Sequence, residues 1–314
     1  MHWFFLFFLL SASAGAQSFG PPAGFPGSAA IAASSPEIIT WASVVAEEHR
    51  GFRNISNLQS GMASAGNSVN ALGPAMQNGT FSLGDGGSIT LAFPRPLCDK
   101  AGMDFAVFEN GFSDGFLELA FVEASSNGID FFAFPAYSET SFAIQKGPFD
   151  TLDARCLHNL AGKYRTGFGT GFDLAELAGN SGFDVSQVKY IRLRDVVGSI
   201  LPEHATYDVL GRMVNDPWPT DFESSGFDLD AVAALHLAGE DAPLIWPSLL
   251  GQGDAFYFVS DETMPLELLH SSGRLMASFP AGSGNSARLP AGMAPGIYLF
   301  RVQGRSASRK VMIR

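Results

Sequence analysis

The chain has 314 residues, among them 35 Gly and 28 Phe, and sets 19 Lys+Arg against 31 Asp+Glu for a net charge of −12. That length can bury one sizeable core and a small second one. The acidic balance argues against a nucleic-acid partner, which draws on clustered Lys and Arg, and is compatible with bound divalent cations.

Phe4 to Leu10 form a short apolar run, and Ala14-Gly15-Ala16 is a small-x-small site. Together they predict a secretory signal peptide over residues 1–16, hence an extracellular or outer-surface location. No later stretch approaches the roughly 18 to 20 apolar residues of a membrane helix, so no transmembrane helix is expected. Residues 17–36 are rich in Gly, Pro, Ala and Ser without periodicity and read as a flexible leader.

A body is expected over 37–239. "ITWASVVAEEH" from Ile39 fits either a strand or a short helix. From Thr80 the pattern becomes β: "TFSLGDGGSITLAFPRPL", "MDFAVFENGF", "FLELAFVEASSNGIDFFAFP" and "VKYIRLRDVVG" alternate or run apolar over strand lengths. Gly84 to Gly87 and Asn127-Gly128 supply turns. No regular strand-helix alternation appears, so the fold class expected is all-β, a sandwich of jelly-roll or galactose-binding-like type. "GFDLAELAG" and "GFDVSQVKY" carry the D-x-x-E/Q spacing of a helix cap at Asp173 and Asp184 and predict single helical turns. "GFDLDAVAAL" from Gly226 lacks that spacing and reads as a strand.

Cys98 and Cys156 sit in a chain expected to be exported, where a disulfide can persist; spacing alone leaves their pairing open. Two cysteines without paired His argue against zinc. Composition shifts after "LAGEDAP". The last 73 residues carry a charge of +3 against −15 before them, and their strands predict a small immunoglobulin-like sandwich over 243–314.

In that segment "SSGRLM" (Ser271 to Met276), "MAPGIYLFRVQG" (Met293 to Gly304) and the terminal "SRKVMIR" resemble the C-terminal sorting domain of type IX secretion substrates from Bacteroidetes. The resemblance implies handling by the type IX secretion machinery, commonly with removal of the domain and release of the cargo or its attachment at the outer-membrane surface. The body, over most of Phe81 to Ala233, resembles a group of uncharacterised bacterial cell-surface proteins. That similarity brings no activity with it.

Alternation assigns faces. Phe105, Val107 and Glu109 share one side of their strand; Leu117, Leu119, Phe121 and Glu123 share another; Ile191, Leu193 and Asp195 a third. Asp228 and Asp230 share a face opposite Phe227, Leu229 and Ala231. Carboxylates ending several apolar faces need a metal or hydrogen-bonding partners, and Glu109, Glu123, Asp195, Asp228 and Asp230 are the expected calcium ligands, calcium taking six to eight oxygens in irregular geometry. "FDLDAV" also resembles the final strand of galactose-binding-like sandwiches, which implies a structural calcium beside it. Arg192 or Arg194 is the competing partner.

For a ligand, "EHATYDVLG" and the proline-fixed "NDPWPTDF" offer Tyr207, Asn215, Asp216 and Trp218, types that stack on a sugar face and take its hydroxyls. These point to a non-catalytic carbohydrate-binding surface protein; the alternative for Trp218 is that it folds back to lid the core. The alternatives are a polysaccharide lyase using His158, Lys163, Tyr164 and Arg165, a glycosidase using Glu109 and Glu118, a structural or adhesive component, and capture of a small nutrient such as a cofactor.

Overall fold

The computed structural model describes residues 19–238, 244–246, 249–259, 265–280, 286–303 and 308–314; the signal peptide expected over 1–16 lies outside them. The chain is all-β. Its strands are β1 Ile31–Ala32, β2 Thr40–Trp41, β3 Val44–His49, β4 Phe81–Ser82, β5 Ser88–Leu97, β6 Phe105–Glu109, β7 Ala120–Ser125, β8 Phe132–Ala133, β9 Tyr137–Ser138, β10 Leu157–His158, β11 Leu160–Ala161, β12 Phe168–Phe172, β13 Val188–Asp195 and β14 Asp228–Ala234. One sheet runs β1-β12-β6-β14-β2 with β4 beside β14; the other runs β11-β7-β13-β5-β3 with β8 beside β7. Neighbours in space are far apart in sequence, as in β5 with β13 and β6 with β14, and every pairing in the body is antiparallel.

The inward residues of both sheets meet in one core. Phe105, Val107, Leu229 and Val232 face Ile89, Leu91, Val122, Ile191 and Leu193, and Phe105 stacks on Phe172 at 5.2 Å with Phe134 edge-on to both rings. Alternation holds in β13, where Val188, Ile191, Leu193 and Asp195 are buried. It fails in β6 and β7, which are buried throughout. Both outer faces are covered: Ala106 and Phe108 pack with Ile31, Ala231 and Leu235, and Leu119 and Phe121 pack with Leu152, Leu157 and Val214. A strand buried on both faces reads as a continuous apolar run.

Residues 19–36 contribute to that cover, and the flexible leader expected from their composition is not what forms. The Phe19 ring lies 4.9 Å from His158 in a parallel stack, Ala23 is buried, and β1 pairs with β12. Apolar contacts with a distant loop give this segment the order its own sequence does not encode.

The expected local features form except at Asp184, where in place of a helical turn there is a single hydrogen-bonded turn, the Asp184 side chain accepting from the Ser186 N–H and its carbonyl from the Gln187 N–H. Asp173 accepts from the Ala175 N–H at 2.9 Å to cap a single 3-10 turn, Leu174–Leu177, and Asn127-Gly128 turns between the antiparallel β7 and β8. The segment from Ile39 to His49 resolves as the two strands β2 and β3 with a break at Ala42 and Ser43. No disulfide joins Cys98 to Cys156.

The C-terminal segment has a core of its own. Strands β15 Leu244–Trp246, β16 Leu249–Leu250, β17 Ala255–Val259, β18 Leu266–His270, β19 Leu275–Phe279, β20 Ser286–Arg288, β21 Gly296–Val302 and β22 Ser308–Ile313 form sheets β15-β17-β20 and β16-β22-β21-β18-β19. Phe256, Leu266, Leu268, Phe300 and Val311 fill the space between, with Phe256 and Phe300 rings 4.8 Å apart.

Candidate functional site

Two places collect chemistry: an acidic end of the body sandwich, and a cleft beside β2.

The acidic end follows from where strands stop. Glu109 closes β6 opposite Leu229 at the start of β14, which begins with Asp228. In the other sheet Asp195 closes β13 opposite Ala120, the start of β7, and Glu118 lies two residues before it. Connecting segments add Asp85 and Asp216. Glu109 takes the Gly111 N–H at 2.8 Å; Asp195 takes those of Gly86 at 3.0 Å and Phe227 at 2.8 Å. Asp85 Oδ2 takes the Ile55 N–H and the Trp218 indole N–H, both at 2.9 Å. Asp216 Oδ2 takes the Leu119 N–H at 3.1 Å, and Ser82 Oγ donates to Asp228. Gly226 must be glycine here: its φ is +70°, and a Cβ would stand 2.6 Å from Asp195 Oδ1.

Burial, with mutual repulsion added, pushes the carboxyls of Glu109, Glu118 and Asp195 well above the usual range. Asp228 repels each of them, and Glu118 also feels Glu109, Asp216 and Asp195. Asp216 is raised well above that range too, by burial first and then by Asp195 and Asp85. Burial lifts Asp228 to about 6 against the pull of Ser82 and Arg50. Glu118 keeps a partly exposed surface, and burial is the largest influence on its carboxyl.

Of the five expected calcium ligands, Glu109, Asp195 and Asp228 share this end, and Glu123 and Asp230 do not. Glu123 lies on the outer face of β7, where it accepts from Arg194 at 2.7 Å and pairs with Arg192 at 3.6 Å. For this residue the arginine alternative holds. Asp230 sits in a bulge between Leu229 and Ala231. The inserted residue breaks the common face expected with Asp228, and both Asp230 oxygens accept the Met76 N–H, at 3.0 and 2.9 Å. Glu118, Asp85 and Asp216 fall outside the acidic group expected from sequence: all three lie on connecting segments, which carry no periodic face, and Asp216 is expected in the carbohydrate-binding set instead.

The expected sugar-stacking loop faces inward. Trp218 is 6 % exposed with its indole on Asp85. Asn215 is fully buried and pins the neighbouring loop, donating to the carbonyls of Ser141 and Ile144 and accepting from the Lys146 N–H. Asp216 belongs to the acidic end. Of that quartet Tyr207 alone remains exposed. The lyase set is closed off as well: Lys163 and Tyr164 are buried, Lys163 Nζ donates to the Leu157 carbonyl at 2.8 Å, and Arg165 is held by Asp114 and the Ala23 carbonyl.

The cleft encloses about 640 Å³ and is walled by Trp41 of β2 and Tyr257 of β17, with Thr40, Ser43, Gln77 and Asn78 among its polar lining and no charged side chain among the described residues that line it. Tyr257 and Gln77 are exposed. Trp41 is braced from behind by Phe108 at 5.2 Å. The sequence signal for this site was Trp41, in a segment whose strand or helix character sequence alone left undecided.

Among the described residues no helix is long and apolar enough to cross a membrane. No family model and no curated protein matches the chain. Among solved structures it is similar to a chain described as "Biofilm associated protein - BSP domain", at 10% identity and a TM-score of 0.19, over 89% of this chain and 52% of that one. This chain thus spans about half the length of that structure, and a likeness at that score carries no argument.

Proposed function

We propose that this chain is an exported, surface-displayed binding protein that takes a neutral carbohydrate in the cleft between Trp41 and Tyr257. The observation that carries the reading is the pairing of two aromatic walls with hydroxyl and carboxamide groups in a cleft of about 640 Å³ with no charged side chain among the described residues that line it, a volume and polarity suited to a short oligosaccharide. Export rests on the signal-peptide pattern at Phe4 to Ala16 and on the resemblance of the C-terminal segment to a type IX sorting domain. Because Tyr257 belongs to that segment, the cleft needs a retained tail, and the mass of the surface-displayed form is a check on the reading.

The direct test is calorimetric titration of the full mature chain with neutral oligosaccharides. Binding weakened about tenfold or more by Tyr257→Ala and Gln77→Ala, neither of them a core residue, supports the reading. A chain that binds none of them, or variants that bind as well as the parent, sinks it.

A further inference from the structure

We propose that the acidic end of the body sandwich is a hard divalent-cation site, a calcium site by its chemistry, with Glu109, Glu118, Asp216 and Asp228 supplying ligand oxygens. The two remaining acids differ from these four. Both oxygens of Asp195 accept backbone N–H groups, and Asp85 is anchored by Ile55 and Trp218, which makes this pair an orienting shell behind the ligands.

The independent observation is Asp216 Oδ1. It is fully buried and accepts no hydrogen bond, while its partner oxygen holds Leu119. A buried acceptor without a donor is costly, and an anionic one the more so, unless a cation completes it. Among the described residues no side chain donates to it. The cation that acts on Asp228 is Arg50, but its guanidinium lies 4.0 Å over the Phe81 ring and donates to the carbonyls of Ala65, Gly66 and Ser82.

The donors are all carboxylate oxygens, drawn from both sheets and from a connecting loop, which is the irregular, oxygen-only set calcium accepts and magnesium, with its strict octahedron and retained waters, does not. Among the described residues Asp99, Asp104 and Asp173 are the acids whose oxygens lie within 4.8 Å of one another. The four proposed carboxylates do not meet at that spacing; what marks their end of the sandwich is the orphaned Asp216 Oδ1. In the tighter trio Asp104 already accepts from Lys100, Leu174 and His236, and Asp173 caps Ala175.

The site is separate from the cleft. Asp228 opens β14, whereas Trp41 pairs with Ala233 near its other end, about 17 Å away at strand rise. Failure of one reading leaves the other standing.

The test uses the full mature chain stripped with EDTA and titrated with CaCl₂ by calorimetry, alongside thermal melting. We expect saturable binding at one site and a melting temperature raised by about 5 °C or more at 100 times the dissociation constant. Asp216→Asn and Glu118→Gln should each weaken binding tenfold or more, while Asp216→Asn without calcium melts no lower than the parent because a buried charge has been removed. No calcium heat and no shift in melting up to millimolar concentrations overturns the proposal. So does binding that survives both variants and disappears in Asp104→Asn, which would place the ion at the Asp99–Asp104–Asp173 trio.

Discussion

Trp218 donates its indole N–H to Asp85 Oδ2 across 2.9 Å, and both residues are buried. The bond ties the long β13–β14 connection to the turn after β4. Of the two places the loop offers this aromatic, a ligand face or a lid on the core, the bond goes with the second. Trp218→Phe keeps the ring and removes the donor, leaving the Ile55 N–H as the partner of that oxygen. The expected result is a loss of about 1 to 3 kcal/mol in urea unfolding, with carbohydrate affinity at the cleft unchanged. Lost affinity with unchanged stability would restore Trp218 to a ligand face.

Lys163 should give stability a rising pH dependence in mild base. Burial lowers its ammonium from 10.5 to about 8, with Asp153 acting weakly the other way. The unfolded chain keeps that proton until near 10.5 and the folded chain only until about 8, so in this interval unfolding takes up a proton. The cost of the buried charge is therefore present in full below pH 8 and is relieved as pH rises. Between about pH 8 and 9.5, before tyrosines titrate, stability should climb by about 1 to 2 kcal/mol. Urea unfolding across that range reads it directly. Lys163→Met should flatten the climb, and a parent protein without one has a solvated amine.

Removing residues 17–33 should cost the body about 3 kcal/mol or more, since it strips β1 from β12, exposes Phe108, Ala106 and Ala233, and uncovers His158 beneath Phe19. Thermal melting of the truncated and parent chains measures it. Equal melting temperatures would return the segment to the flexible leader its composition implies.

The local devices were legible. Caps at Asp173, the turn at Asn127-Gly128, and the β character from Thr80 onward depend on a few adjacent residues, and those residues sit side by side in the chain. Face assignment was half legible. Leu117, Leu119 and Phe121 do share a face, as expected, but it is the outer face of β7, packed on a second core with Leu152 and Val214. Glu123 on the same face therefore meets Arg192 and Arg194, while Asp195 on the inward face of β13 meets other acids. Period-two alternation says which residues lie together and is silent about which side is the interior when both sides are covered.

The bulge at Asp230 shows the same limit in one residue. Alternation pairs Asp228 with Asp230; the register shift beside Leu229 parts them, one to the acidic end and one to the Met76 loop. What the sequence by itself determined is an all-β chain with strands, turns and caps in place, because those are set by steric preference and apolar periodicity within a few residues. The tertiary structure alone decided which acids share a desolvated pocket, that Trp218 and Asn215 turn inward, and that Trp41 and Tyr257 line one cleft. Each of these joins segments tens to hundreds of residues apart, and burial, which fixes their charge state and accessibility, exists only once the segments have packed together.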